Sequence, residues 1–122
     1  MIFIVEDDPI MAECIAQACQ PNSVKIFSDA VSAVAALSQS LPTLIFLDIL
    51  LTGPDGFTLL HELVSYQDTA QIPVVIVSSL DFTKHNLSSY GVVGVLDKCK
   101  MTPSDIKSYT KKYLNKPINA HV

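Results

Sequence analysis

The chain alternates short, mainly apolar runs with longer segments whose apolar residues recur at helical spacing. IFIV (2–5), VKIF (24–27), TLIFLD (43–48), PVVIVSS (73–79) and GVVGVLD (91–97) read as five strands. Between the first two, Ile10, Met11, Cys14, Ile15, Ala18 and Cys19 predict a buried helical stripe, with Asp8 as N-cap and Pro9 in the first turn. Ser28 or Asp29 caps a second helix carrying Val31, Val34, Ala35 and Leu37. After the turn signal Pro54-Asp55-Gly56, a third stripe runs through Phe57, Leu60, Leu63 and Val64. FTKHNLSS (82–89) has little amphipathic order and predicts only a short helix. Thr102-Pro103-Ser104-Asp105 opens the last helix, with Thr102 as N-cap and Asp105 reaching back, and Ile106, Tyr109, Tyr113 and Leu114 form its stripe.

Strands that are apolar throughout, each followed by a helix, predict a parallel sheet covered on both faces. Right-handed crossovers make this α/β, a (βα)5 doubly wound, flavodoxin-like sheet with strand order 2-1-3-4-5. The expected domain spans 1–117, leaving 118–122 as a tail or the start of a linker.

One residue breaks the pattern. In LIFLDILL (44–51) seven of eight residues are apolar and the eighth is Asp48. An ionised carboxylate is costly to bury unless paired, hydrogen-bonded or bound to a metal. Either the strand ends at Asp48, or the acid has a strong reason to be inside.

Composition narrows the class. Apolar residues make up 49% of the 122 and charged residues 16%, which excludes a disordered chain. No apolar run approaches the ~20 residues of a membrane span, and no signal peptide is visible, so a cytoplasmic protein is expected. Cys14, Cys19 and Cys99 show no CxxC pairing and read as reduced thiols, with 14 and 19 as core filler. His61, His85 and His121 share no ligand spacing. There is no arginine. Residues 98–122 carry six lysines against one acid, net +5, whereas residues 1–97 are net −9. Without aromatic interleaving, the basic end reads as a solvated helix rather than a nucleic-acid surface.

In a parallel sheet the carboxyl ends of the strands share one edge, where ligands bind at the switch point. Glu6-Asp7-Asp8 follow the first strand and Asp48 the third; Ser78-Ser79 end the fourth, and Asp97-Lys98 the fifth. Three carboxylates converging there repel one another unless a cation is present, and a hard divalent ion such as Mg²⁺ resolves the conflict. A lysine and a hydroxyl opposite suit an anion lying between the metal and the far wall, the layout of a phosphoryl site.

VEDDP, LDILLTGPDG, PVVIVSS and the lysine after the fifth strand together resemble the bacterial response-regulator receiver domain, over roughly residues 2 to 116. The resemblance implies a two-component signalling phosphoacceptor rather than an enzyme with a substrate of its own. It implies that Asp48 takes a phosphoryl group from the phosphohistidine of a sensor histidine kinase or phosphotransfer protein. Asp7 and Asp48 would ligate Mg²⁺ directly, Glu6 through water, and the carbonyl of Leu50 would add another ligand. Ser78 and Lys98 would each contact a phosphoryl oxygen, and Asp55-Gly56 would have a structural role. The segment 82–89, the fifth strand and the last helix would form the switching surface, for docking a partner or for homodimer formation. Neither nucleic-acid nor membrane binding is implied for this domain. The alternative is a pseudo-receiver, an interaction module not regulated by phosphorylation.

Four departures qualify the resemblance. Cys99 stands where proline commonly follows the lysine, so a trans Lys98–Cys99 peptide is expected, since a non-proline cis bond costs about 2.5–4 kcal/mol. Val95 replaces the family's switch aromatic, and Thr52 a common proline. Leu50 and Leu80 occupy positions that often tune dephosphorylation; apolar side chains there predict a long-lived phosphoryl group. A haloacid-dehalogenase-type phosphatase would need an aspartate at position 50, and an FMN-binding flavodoxin relative would need a hydroxyl-rich loop after the first strand.

Overall fold

A computed structural model describes residues 1–49, 56–79 and 88–114. In chain order the elements are β1 (Ile2–Val5), α1 (Pro9–Ala18), β2 (Val24–Phe27), α2 (Ala30–Leu37), β3 (Leu44–Leu47), α3 (Gly56–Val64) and β4 (Val74–Ser78). A 3-10 turn (Ser88–Tyr90), β5 (Val92–Asp97) and α4 (Pro103–Leu114) complete it. All pairings are parallel and the strand order is β2-β1-β3-β4-β5, as the pattern predicts. Four α-helices lie within the described residues. Pro54, Asp55, Leu50, Thr52, Leu80, His85, His121, most of 82–89 and the tail 118–122 lie outside them.

The sheet separates two cores. Phe3, Val5, Ile45, Leu47, Val74 and Ile76 pack on α2 and α3. Ile2, Ile4, Leu44, Phe46, Val75 and Val77 pack on α1 and α4. Alternate residues of one strand feed opposite layers because side chains in a strand alternate in direction. β1, β3 and β4 are buried throughout. The edge strands β2 and β5 are not: Ile26, Val93 and Val95 are exposed.

The caps hold as read. Asp8 Oδ1 accepts from Ile10 N–H (3.0 Å), and Asp29 Oδ1 from Ser32 N–H (2.7 Å). Thr102 N–H donates to Asp105 Oδ2 (2.8 Å) and Asp105 N–H to Thr102 Oγ1 (3.3 Å), a reciprocal capping box opening α4. The lysines of α4 are solvated, as expected.

Two stripes need correction. On α1 the buried residues are Ala12, Ile15 and Ala18, with Cys19 just beyond; Ile10 is 76% exposed and Cys14 is exposed. The first turn of α1 faces solvent, with Pro9 and Ile10 both exposed. On α2 the buried pair is Ala30 and Ala33, while Val31 and Ala35 face solvent. AVSAVAAL is apolar all round apart from one serine, so its periodicity cannot fix the helix phase; the alanine face wins because it allows the closest approach to the sheet.

Candidate functional site

The parallel ladder runs one step past the strands and so sets the site. Asp48 N–H donates to Val5 O (2.9 Å), one residue beyond β3, and Lys98 N–H to Ser78 O (3.0 Å), one beyond β5. Glu6 N–H donates to Phe27 O (2.9 Å), one beyond β1. Asp48 is therefore the tip of its strand, which answers the question its sequence neighbours raise. It is nonetheless only 4% exposed.

The compensation for that burial is Lys98. Its Nζ donates to Asp48 Oδ2 at 3.0 Å and lies 2.9 Å from Glu6 Oε1. The second contact is an ion pair whose angles fall short of an aligned hydrogen bond at buried Oε1. Glu6 Oε2 accepts from Asp8 N–H (3.1 Å), which ties the side chain to the start of α1. Lys98 stands on a short turn fastened by Asp97: Cys99 N–H donates to Asp97 Oδ1 and Met101 N–H to Asp97 O, both at 2.8 Å. The Lys98–Cys99 peptide is trans, as expected.

Charge at the site is unbalanced. Glu6, Asp7 and Asp48 each place a carboxylate oxygen within 4.8 Å of the others, against one ammonium. Burial pushes the Glu6 carboxyl up to about 7; contacts with Lys98 and the Asp8 N–H offset this in part. Burial also works against the Lys98 ammonium, but the Glu6 and Asp48 carboxylates outweigh it and hold the lysine above its ordinary value. Asp7 is exposed at the rim. A group of hard oxygens at this spacing, one buried and without a hydrogen bond, fits a divalent cation such as Mg²⁺.

Ser78 ends β4 on the same edge and is 1% exposed, whereas the next residue, Ser79, faces solvent. Leu50 lies outside the described residues. Glu6, Asp7, Asp48, Ser78 and Lys98 thus converge on one edge. The sequence did not reveal that Lys98 bridges Glu6 and Asp48, because no local pattern reports contact between residues 92 positions apart. Nor did it show how tightly Gly56 fits. Its N–H donates to Ile49 O (2.8 Å), and a Cβ there would stand 2.6 Å from Ile49 Cα and 2.7 Å from Asp48 O. Glycine is needed for room, not for an unusual φ.

Beside the pocket, the outer face of α1 presents Pro9, Ile10 and Cys14 to solvent. Among the described residues no helix is long and apolar enough to cross a membrane.

The family model for the response regulator receiver domain matches residues 2–111. The response regulator PleD of Caulobacter vibrioides is 40% identical over 53 residues, covering 43% of this chain and only 12% of PleD. The solved receiver domain of NtrX from Brucella abortus is 25% identical with a TM-score of 0.81, covering 96% of this chain and all of that one. The phosphorylated cyanobacterial phytochrome response regulator RcpA is 27% identical with a TM-score of 0.77, over 93% of this chain and 92% of that one. With a family match across nearly the whole chain and the acid-and-lysine edge on the fold described above, this chain belongs to the response regulator receiver domain family.

Proposed function

We propose that Asp48 is the phosphoacceptor of a two-component pathway, taking its phosphoryl group from the phosphohistidine of a histidine kinase or phosphotransfer protein. The observation that carries this is the buried Asp48 carboxylate held 3.0 Å from Lys98 Nζ in a pocket with Glu6 and Asp7. Lys98 holds the Asp48 carboxylate, the proposed nucleophile, in place at the tip of its strand. An Asp48 oxygen forms the new O–P bond as the P–N bond breaks, and its electron pair returns to the imidazole. Glu6, Asp7 and Asp48, with the Leu50 carbonyl, would hold Mg²⁺, which supplies positive charge against the phosphoryl oxygens. The apolar lip at Pro9, Ile10 and Cys14 offers the donor a surface beside the pocket. A solved relative, RcpA, is described as phosphorylated, which supports the same reading here.

The new dianion would draw Lys98 and Ser78 toward it, and β5 and α4, which flank Lys98 in sequence, would transmit the change to a partner. Leu50 and Leu80 offer no polar group to orient an attacking water, so the phosphoryl group should outlast seconds; rapid self-dephosphorylation would refute that part. The test of the whole is labelling by acetyl phosphate with Mg²⁺. Asp48→Asn should abolish it, and labelling that persists in that variant overturns the assignment.

A further inference from the structure

β5 carries a glycine in its interior, where the residue weakens a strand and marks a close approach by another group. Gly94 pairs with Val75 of β4 and precedes Lys98 by four residues. A Cβ at this position would overlap the Tyr109 hydroxyl oxygen and stand 2.5 Å from Cζ and 2.9 Å from Cε1. The ring tip of Tyr109 therefore fills the space that any other residue at 94 would need. Tyr109 belongs to α4 and packs, half-buried, on the layer that holds Ile4, Phe46 and Val77. The backbone of α4 lies chiefly against α1 and over β3. Side chains make its connection to β5, and the Tyr109 ring seats on the strand itself.

The same two elements are joined a second time, beside the acceptor. Asp97 fastens the turn after β5 through Cys99 N–H and Met101 N–H, and the Thr102–Asp105 capping box opens α4 directly from that turn. We propose that Tyr109 seated on Gly94 is the positioning contact that couples Lys98 to α4. The proposal rests on the reading of Asp48 as phosphoacceptor and names how its signal leaves the pocket. At about 3.3 Å per residue, Gly94 lies about 13 Å along the strand from Lys98. The turn alone fixes α4 at one point and lets it pivot when Lys98 moves. The ring adds a second point and removes the pivot. Close-packed side chains transmit a displacement rather than absorb it, so a shift of β5 toward a phosphoryl group carries α4 with it.

Amide resonances recorded before and after labelling with acetyl phosphate and Mg²⁺ test this. In the wild-type chain the signals of β5 and of α4 should shift together. Tyr109→Leu keeps an apolar side chain without the ring tip. It should label to the wild-type yield and retain the β5 shifts, while the α4 shifts fall about threefold or more. Gly94→Ala should give the same loss from the strand side by expelling the ring. Tyr109→Phe, whose ring still seats, should keep the wild-type response. Label yield and β5 shifts report a folded pocket in each variant, so a loss confined to α4 is not misfolding. Undiminished α4 shifts in either folded variant overturn the proposal. So does a Tyr109→Phe protein that loses as much as Tyr109→Leu, or a labelled wild-type chain in which β5 shifts and α4 does not. A wild-type chain that takes no label fails differently: it refutes the acceptor reading, and the coupling with it.

Discussion

Replacing Gly56 by alanine adds one methyl group at the point where α3 begins and the acceptor strand ends. The added Cβ would stand 2.6 Å from Ile49 Cα and 2.7 Å from Asp48 O, with Ile49 Cδ1 at 3.1 Å. Carbon atoms at rest lie about 3.5–4.0 Å apart, so the intruded distance approaches 1 Å. Two of the three obstacles are backbone atoms and cannot swing aside. Relief must come from moving α3 away or from displacing the Asp48–Ile49 backbone, which also stretches the Gly56 N–H to Ile49 O bond. Overpacking of this kind costs about 1–3 kcal/mol, which lowers the melting temperature of a domain this size by roughly 5–15 °C. Thermal unfolding measures the first consequence, and acetyl phosphate labelling at a temperature where the variant is folded measures the second, since the displaced backbone carries the nucleophile. Gly91→Ala is the control. Gly91 has φ +79°, so alanine there is strained by about 1–2 kcal/mol, yet it lies at the far end of β5. It should destabilise without slowing labelling. A Gly56→Ala protein with unchanged melting and unchanged labelling would refute the steric argument.

Three further outcomes follow from the geometry. Glu6 has a carboxyl raised from 4.5 to about 7, so the folded state holds its proton more tightly than the unfolded chain. Without divalent cations, the Glu6 contribution to stability is fully present below pH 4.5 and is lost, by on the order of 3 kcal/mol, as pH rises through 7; Glu6→Gln should flatten that part of a urea-midpoint profile. Asp29→Ala removes the α2 cap and should cost about 0.5–2 kcal/mol, read by urea unfolding, with labelling unaffected. Two thiols, Cys14 and Cys99, should react with a disulfide reagent in the native protein and three after denaturation, because Cys19 is buried and its thiol is pushed up to about 11.

Sheet order and the site edge were legible because both rest on local signals: apolar runs for strands, and polar residues at their carboxyl ends. Asp8, Asp29 and Thr102 announced their helices through capping chemistry that operates within three residues. What stayed hidden was non-local. AVSAVAAL conceals which face packs, and Ile10 and Cys14 fit the apolar stripe of α1 yet face solvent. The Lys98 bridge to Glu6 and the pinch at Gly56 depend on how distant segments meet, which periodicity does not encode.

Lys98, Glu6 and Asp48 also set a limit on how stable the domain can be. A buried ion triad is often no more stable than well-packed apolar residues of the same shape, and swapping one for the other can gain about 1–4 kcal/mol. Here one acid oxygen lacks a hydrogen bond as well. A version of this domain with methionine or leucine at those three positions should melt higher and signal nothing. Selection for robustness alone would erase the pocket, so its persistence in a sequence is itself a mark of use, and the heat tolerance of the domain is bounded by the feature that lets it answer a phosphodonor.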